Sequence, residues 1–505
     1  MRSRDVMRQS LLPAEVDVKT RKPKTLLMKY HENADQQPMS SKAAEKLGIF
    51  PSLPLASLAA MLRHHDYPVK VLDLHALNIM VRDAATLLLD DPPDIVGITC
   101  KTLGWPSVLQ IAQMVKATLP QCLVVVGGPH TSIYAKESLT WDCIDLAVVG
   151  DGEDTLLDIV RTFEGGGDLT SIMGTCAKRA GQIVMNPARP VQLDLDVYPM
   201  PALDLLPMSR YHAMMVHKPF STMVSTRGCP WHCGFCSQVY TSKLRYRSVQ
   251  AVVDEMQWHV ERFGIKEIVM FDETFTVGRS RVLKLCDEII NRKLRVAFNI
   301  RARVDTVDKP MLQALKAAGC RSIHMGVEGG SQRMLDIMKK GITVEQVQNA
   351  FTWSKEVGLE TRGYFMIGYY DASPEDVEDV ISFSASLPLD WASYSVATPL
   401  PATELYDVAI ERGYLSGDYW REYTLKGGGP VPHLTTETLD AATLRSFRTK
   451  AYMNFYLRPH IVLNRLYSAS RSIKGMLDLM GGATVLKEIA AMNLRERGLM
   501  AAQVS

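Results

Sequence analysis

Short apolar segments alternate with amphipathic segments along most of the chain. In the first third, five apolar runs are separated by stretches of helical period such as that of Leu55, Leu58 and Leu62. The five runs are Thr25–Lys29, Val69–Leu74, Asp94–Thr99, Cys122–Gly127 and Asp145–Val149. Runs that are apolar throughout are typical of parallel strands that are buried on both faces. The pattern therefore predicts a doubly wound, Rossmann-like α/β domain.

The alternation resumes at Thr222 and continues to about residue 400. Its six apolar runs are Thr222–Thr226, Glu267–Phe271, Arg295–Ile300, Arg321–Val327, Thr361–Ile367 and Trp391–Val396. Helical segments separate them, and the first of these begins after Ser248, a residue type that caps helices. About six strand–helix units are too few for a closed eight-stranded barrel.

Composition divides the chain into five parts. Residues 1–22 are polar and predict a flexible arm, and residues 23–165 predict the first α/β domain. Residues 166–215, rich in proline and glycine, predict an ordered connector that contains a short strand at Gln182–Met185. Residues 216–425 predict the second α/β domain, and 426–505 predict a helical region. We expect these last helices to cap the active site, with a membrane-surface helix as the alternative.

The charge balance and the cysteine content narrow the class of protein. With 57 Lys and Arg against 55 Asp and Glu, the chain has no basic excess for binding nucleic acid. No apolar run is long enough to span a membrane, and no signal peptide follows Met1. Nine scattered cysteines fit a reducing cytoplasm better than a disulfide scaffold.

Three of the nine cysteines lie within eight residues, as Cys229-x-x-x-Cys233-x-x-Cys236. Pro230 and Gly234 break any helix here, so the cysteines sit on a loop that can curl around one centre. Three thiolates suit an iron–sulfur cluster or zinc. A structural zinc site usually takes four protein ligands, often as two pairs, and no second close pair exists. A cluster with one open iron is favoured, and a zinc loop is the alternative.

This spacing, with the aromatic Phe235 before the last cysteine, resembles the radical S-adenosylmethionine family. The resemblance implies that the three cysteines hold a 4Fe–4S cluster whose open iron binds S-adenosylmethionine. It also implies a partial β/α barrel, in agreement with the strand count. Reduction, by an external flavodoxin- or ferredoxin-type donor, would release a 5′-deoxyadenosyl radical.

The resemblance also assigns roles to polar residues at the ends of other strands of this domain. Asp272 and Glu273 are expected to meet the ammonium group of S-adenosylmethionine, and Arg301 its carboxylate. Glu328 is expected to bind the ribose hydroxyls, and Phe235 is expected to contact the bound cofactor. Each of these residues could instead be a surface cap or part of an ion pair.

Two glycine-rich turns follow strands of the first domain, Gly127-Gly128-Pro129-His130-Thr131 and Gly150-Asp151-Gly152-Glu153. With Pro54–Ala59, and preceding a cysteine triplet, they resemble the cobalamin-binding domain that is joined to many radical S-adenosylmethionine enzymes. The resemblance implies cobalamin contacts from the turns after strands three, four and five. The candidates are Lys101, Thr102, Leu103, Gly128, Pro129, His130, Thr131, Gly152 and Glu153.

One segment partly matches a cobalt-ligating motif. Asp73-Leu74-His75 resembles the start of the Asp-x-His-x-x-Gly motif, but Asn78 stands where glycine belongs, and the segment follows the second strand rather than the first. We therefore predict that no histidine ligates cobalt from below.

Over residues 24–425 the resemblance implies a cobalamin-dependent radical S-adenosylmethionine C-methyltransferase that acts on an unactivated carbon of a small-molecule or natural-product substrate. One S-adenosylmethionine would methylate the cobalamin, and a second would yield the radical. The alternatives are an oxidative cyclase with the same cofactors, a non-catalytic metal or cobalamin carrier, and a radical enzyme with a vestigial first domain. The sequence identifies neither the substrate nor a general acid or base.

Overall fold

The structure is a computed structural model, and it describes residues 21–31, 48–214, 216–237, 239, 243–471, 479–480, 483–484 and 487. Most of the predicted arm and the chain beyond 471, apart from five residues, lie outside this part. The chain forms two compact units. The first holds the described residues up to His31, with Pro54–Val191 and Pro201–Leu206. The second holds 48–53, Gln192–Met200 and the described residues from Pro207 onward, so the predicted connector is shared between both units.

The first unit is built on a seven-stranded sheet. Its strands are β1 Thr25–Lys29, β2 Val69–Asp73, β3 Ile95–Thr99, β4 Leu123–Gly127, β5 Leu146–Val148, β6 Thr175–Arg179 and β7 Gln182–Met185. They are ordered β2-β1-β3-β4-β5-β6-β7, and the first five run parallel while β6 and β7 pair antiparallel. This confirms the predicted doubly wound domain and adds an antiparallel edge.

Helices connect the parallel strands of the first unit. They span Leu53–His64, Leu74–Leu77, Val81–Asp90, Trp105–Thr118, Pro129–Ile133, Ala135–Ser138 and Glu153–Glu164. Short 3-10 helices span Thr102–Gly104, Leu169–Ser171, Leu195–Val197, Leu203–Leu205 and Met208–Arg210, of which Leu195–Val197 and Met208–Arg210 belong to the second unit. The helix that begins at Trp105 buries Val108, Ile111 and Val115, whose spacing places them on one face.

The second unit is built on a six-stranded parallel sheet. Its strands are β8 Phe220–Met223, β9 Glu267–Met270, β10 Ala297–Ala302, β11 Cys320–Glu328, β12 Glu360–Ile367 and β13 Trp391–Val396. They lie side by side in chain order, as in an incomplete β/α barrel. Two-residue strands pair Gly48–Ile49 with His212–Ala213, and Thr226–Arg227 with Arg245–Tyr246.

Helices follow the strands of the second unit. They span Val249–Phe263, Arg279–Asn291, Lys309–Ala317, Gln332–Ile337, Val344–Glu356, Pro374–Ser386, Glu404–Glu411, Tyr419–Lys426, Ala441–Tyr456 and Pro459–Arg471, and a 3-10 turn spans Val304–Thr306. The expected cap is present, because the Ser248 hydroxyl accepts a hydrogen bond from the Ala251 amide at 3.1 Å. No helix in the described part of the chain has the length and apolar character needed to cross a membrane.

Side chains alternate between the two faces of this sheet. Along β12, Thr361, Phe365 and Ile367 are buried, whereas Arg362 and Tyr364 are half-buried and line a cavity on the other face. The period of two thus separates an apolar face, packed against helices, from a polar interior. The carboxyl ends of all six strands meet at one edge, which is where barrels of this kind carry their functional groups.

Candidate functional site

The loop with the three cysteines leaves the carboxyl end of β8, and a buried carboxylate fixes its start. Asp272 is fully buried and accepts hydrogen bonds from the Ser225 amide at 3.1 Å, the Ser225 hydroxyl at 2.6 Å and the Thr226 hydroxyl at 2.7 Å. Asp272 follows β9, the strand next to β8, so the strand order brings these groups together. The carboxylate therefore positions the cysteine loop.

Glycine allows the loop to pack tightly at Gly234. A Cβ atom there would lie 2.6 Å from the Tyr369 hydroxyl, closer than real Cβ contacts. The Gly234 amide donates to the Met338 carbonyl at 3.0 Å, and the Gly234 carbonyl accepts from the Leu405 amide at 2.8 Å. Segments that follow β11, β12 and β13 thus hold one point of the loop.

The thiols of Cys229, Cys233 and Cys236 lie close enough to influence one another. Partial burial, together with the charges of Cys233 and then Cys229, raises the pKa of Cys236 to about 11. Three adjacent thiolates repel one another, and a positively charged iron–sulfur cluster would relieve that repulsion. The loop supplies three thiolates, one fewer than the four protein ligands of a usual structural zinc site. The donor set fits a cluster, whose irons take one thiolate each.

Arg303 is a buried basic side chain that contacts this loop. Its Nη1 atom lies 3.5 Å from Cys233 Sγ, and its guanidinium lies 4.5 Å from the centre of the Trp231 ring. Asp305 and the Lys340 carbonyl accept its other hydrogen bonds, at 2.9 and 2.7 Å. Arg303 is almost fully buried, so its position relative to the cysteine is fixed.

A second cation, Lys340, faces the same loop. Its ammonium lies 5.4 Å from the centre of the Phe235 ring and 3.2 Å from the Glu328 carboxylate. Glu328 has a positive φ of 73°, which is unusual for a residue other than glycine and costs backbone strain. Strain of this kind is common at ligand sites. Lys340 thus lies close to both Phe235 and Glu328, which are expected to contact S-adenosylmethionine.

The remaining predicted contacts to S-adenosylmethionine have different surroundings. Glu273 is exposed, whereas the neighbouring Asp272 uses its oxygens on the cysteine loop. Arg301 lies 4.3 Å from the centre of the Phe271 ring and lines the cavity inside the sheet. The roles of these residues toward S-adenosylmethionine remain predictions.

In the first unit, the turn after β4 requires glycine at Gly128. Its φ is 127°, and a Cβ atom would lie 2.6 Å from the Cys100 carbonyl oxygen at the end of β3. Pro129 then begins a short helix, and Gly152 precedes the helix after β5. These turns lie at the carboxyl edge of the sheet, where such domains bind ligands. Glycine at Gly128 is thus required by the packing of the turn against Cys100, and its contact with cobalamin stays a prediction.

Several predicted cobalamin contacts are buried. His130 is fully buried, with its ring 4.9 Å from that of Trp105, and burial lowers its pKa to about 3. The Thr131 hydroxyl lies 3.1 Å from both the Gly128 and Val148 carbonyls, and Glu153 is also buried. By contrast, Lys101 is exposed, and Thr102 and Leu103 are half-buried. The buried residues His130, Thr131 and Glu153 therefore support the turns, whereas Lys101, Thr102 and Leu103 are accessible to a ligand.

His75 lies at the end of β2, where its ring is 4.7 Å from that of His31. The neighbouring Asp73 is fully buried and caps the short helix by accepting from the Ala76 amide at 3.0 Å. In the segment that partly matches the cobalt-ligating motif, Asp73 thus has a local structural role as a helix cap. That no histidine ligates cobalt remains a prediction.

Arg303 and Lys340 were not among the predicted residues of this site. Arg303 lies two residues beyond Arg301 on the same segment, so residue type alone did not show which arginine faces the cysteines. Lys340 and Tyr369 approach the loop only because β11 and β12 lie across the sheet from it. Arg303 could have been predicted from its position, because it is a polar residue directly after the end of β10.

Comparison with known families agrees with both units. Residues 43–160 match the B12 binding domain, and residues 223–384 match the radical SAM superfamily. An uncharacterized methyltransferase of Pyrococcus horikoshii is 35% identical over 436 residues, which are 85% of this chain and 93% of that protein.

Two further proteins are similar over much of the chain. The anaerobic magnesium-protoporphyrin IX monomethyl ester cyclase of Rubrivivax gelatinosus is 29% identical over 72% of this chain and 67% of the cyclase. The fold resembles that of TsrM from Kitasatospora setae, a radical S-adenosylmethionine methyltransferase solved with cobalamin and an iron–sulfur cluster. The TM-score is 0.68 at 16% identity, over 94% of this chain and 100% of TsrM. At that identity, the likeness concerns the fold alone.

Proposed function

The chain belongs to the radical S-adenosylmethionine enzymes that carry a cobalamin-binding domain, and from that premise we propose that it is a C-methyltransferase. Its cofactors are a 4Fe–4S cluster, S-adenosylmethionine and cobalamin. The observation that carries the proposal is the 35% identity to a protein named as a methyltransferase, over 93% of that protein. The proposed substrate is a small molecule with an unactivated carbon, and the proposed electron source is an external flavodoxin- or ferredoxin-type protein.

Different residues of the second unit would bind the cluster and S-adenosylmethionine. Cys229, Cys233 and Cys236 would hold the cluster, and Gly234 allows their loop to close against Tyr369. Lys340 and Glu328 would face S-adenosylmethionine beside the cluster. When bound, the cluster supplies the electron that cleaves S-adenosylmethionine, and the corrinoid supplies the methyl group.

An oxidative cyclase is the second candidate, because a cyclase is 29% identical over 72% of the chain. The two functions differ in one product. A methyltransferase converts S-adenosylmethionine into S-adenosylhomocysteine in the presence of cobalamin, whereas a cyclase needs only the cleavage that gives 5′-deoxyadenosine.

The test is anaerobic reconstitution with iron, sulfide, hydroxocobalamin, reductant and S-adenosylmethionine, with both products measured by mass spectrometry. We expect 5′-deoxyadenosine and a cobalamin-dependent yield of S-adenosylhomocysteine. Cys236→Ala should abolish the first product, while Cys143→Ala, in a half-buried cysteine of the other unit, should change neither. Formation of 5′-deoxyadenosine without S-adenosylhomocysteine would favour the cyclase.

A further inference from the structure

A cavity of about 220 Å³ lies on the polar face of the six-stranded sheet. Arg301, His324 and Arg362 line it and form one row, because Arg301 pairs in register with His324 on β11, and His324 with Arg362 on β12. Adjacent strands are about 4.8 Å apart, so the two arginine backbones are roughly 10 Å apart. Two long basic side chains therefore approach one space.

Two carboxylates near this cavity, Glu267 and Glu360, are bound to another arginine, whereas the charges of Asp272 and Glu273 act on Arg301 from beyond 4.0 Å. Glu267 is fully buried and accepts from Arg321 at 2.8 Å, and Glu360 forms an ion pair with the same Arg321. Trp391 also donates its indole N–H to Glu360, and His217 lies 2.9 Å from Glu267. Both acidic groups are thus bound by Arg321 and its neighbours, not by Arg301 or Arg362.

Arg301 and Arg362 have no carboxylate within 4.0 Å in the part of the chain that the structure describes. Arg362 donates to the Ser393 hydroxyl at 2.7 Å, while its buried Nε has no hydrogen-bond partner among the described residues. Arg301 contacts the face of Phe271 at 4.3 Å. A half-buried guanidinium without an anion is costly, and two that share one cavity also repel each other.

Neutral polar groups complete the lining. His324 Nδ1 lies 3.2 Å from the Tyr364 hydroxyl, and Arg362 lies 5.1 Å from the centre of the Tyr364 ring. Burial, and then the charges of Arg362, Arg301 and Arg321, keep the pKa of His324 well below its ordinary value. The imidazole is therefore neutral and can serve as a hydrogen-bonding group between the two cations.

We propose that Arg301 and Arg362 form an oxyanion site that binds a carboxylate or phosphoryl group of the substrate. This rests on the proposed function, because it gives the substrate class of that enzyme. A planar guanidinium can bind such a group through two parallel hydrogen bonds, and the cavity can hold a group of that size. Among the described residues, Arg303 and Lys340 contact the cysteine loop, whereas Arg301 and Arg362 line the cavity. The proposal therefore assigns Arg301 to the substrate, in place of its expected contact with the carboxylate of S-adenosylmethionine.

The test is calorimetric titration of the reconstituted holoenzyme with inorganic phosphate and, separately, with propionate. We compare Arg301→Gln, Arg362→Gln and the double variant with Arg279→Gln, which removes an exposed, ion-paired arginine outside the cavity. We expect one or both anions to bind, and the double variant to lose at least tenfold in affinity. Arg279→Gln should bind as the unmodified enzyme does. The preferred anion distinguishes a phosphorylated substrate from a carboxylic acid.

Two further measurements keep the outcome interpretable. Arg362→Lys keeps the charge but not the paired N–H donors, so it should bind the anion more weakly than the unmodified enzyme and more tightly than Arg362→Gln. Its comparison with the unmodified enzyme tests the site even if the glutamine variants do not fold. The affinity for S-adenosylmethionine should stay within twofold in every variant. The proposal is overturned if neither anion binds, if the double variant binds both unchanged, or if S-adenosylmethionine affinity falls instead. The yield of S-adenosylhomocysteine tests the proposed methyl transfer separately.

Discussion

Arg303 donates an N–H group to the sulfur of Cys233, with Nη1 3.5 Å from Sγ. The cysteine lies on the loop after β8, and the arginine lies just beyond the end of β10, so the contact spans two strand ends of the sheet. Hydrogen bonds and nearby positive charge at a ligating sulfur stabilise the reduced, more negative state of a cluster. With a cluster held by Cys233, we expect this contact to make the cluster easier to reduce.

Replacing this arginine should make the cluster harder to reduce. Arg303→Gln removes the charge beside Cys233, and we expect the midpoint potential to fall by tens of millivolts, an order of magnitude set by the loss of one such hydrogen bond. Redox titration monitored by electron paramagnetic resonance gives the potential. Iron content should be retained in the matched Arg303→Lys variant. An unchanged potential in Arg303→Gln with full iron content would contradict this role.

The fit between Gly234 and Tyr369 can be tested by a pair of substitutions. Gly234→Ala places a methyl group 2.6 Å from the tyrosine hydroxyl, so we expect the reconstituted iron content to fall to less than about half. Tyr369→Phe removes the opposing oxygen, and the double variant should recover part of the iron. Gly165→Ala is the control, since its Cβ would meet ordinary contacts at 3.5 Å. Equal iron in Gly234→Ala and Gly165→Ala would rule out the packing argument.

Substitutions at two glycines of the first unit can distinguish steric conflict from backbone strain. Gly128 and Gly150 both have positive φ, but a Cβ at Gly128 would lie 2.6 Å from the Cys100 carbonyl, whereas nothing lies within 4 Å at Gly150. Alanine at Gly128 should destabilise its turn by about 1–3 kcal/mol and lower hydroxocobalamin affinity at least tenfold. Alanine at Gly150 should have the smaller effect. Equilibrium dialysis measures binding, and similar losses in both variants would indicate strain alone.

Burial of His130 predicts a dependence of stability on pH. Its pKa is lowered from 6.5 to about 3, so the folded state keeps the ring neutral while the unfolded chain protonates it. The contribution is complete above pH 6.5 and is lost as pH falls from 6.5 toward 3. Between pH 7 and 5.5 this amounts to about 1 kcal/mol of unfolding free energy.

His130→Phe keeps an aromatic ring against Trp105 and removes the titration. We expect the fall in melting temperature between pH 7 and 5.5 to become smaller in this variant. Parallel pH profiles for the unmodified protein and His130→Phe would show that this histidine is not responsible.

The strands were largely predictable because their burial leaves a direct trace in the residue pattern. The run Trp391–Val396 was predicted with its observed bounds, and Thr361–Ile367 began one residue late. The antiparallel edge of the first sheet was only partly anticipated. The strand predicted at Gln182–Met185 is present. Its partner, Thr175–Arg179, was not predicted, because its apolar pattern is short.

By itself, the sequence determined the two α/β units, the cysteine spacing and the glycine turns at the strand ends, because these depend on local pattern and on chain order. Only the tertiary structure decided which charges are neutralised. Arg301, Arg321 and Arg362 are alike in the sequence, yet Arg321 is held by Glu267 and Glu360 while the other two face a cavity. Ion pairing depends on distances across neighbouring strands, and strand register, not residue type, sets those distances.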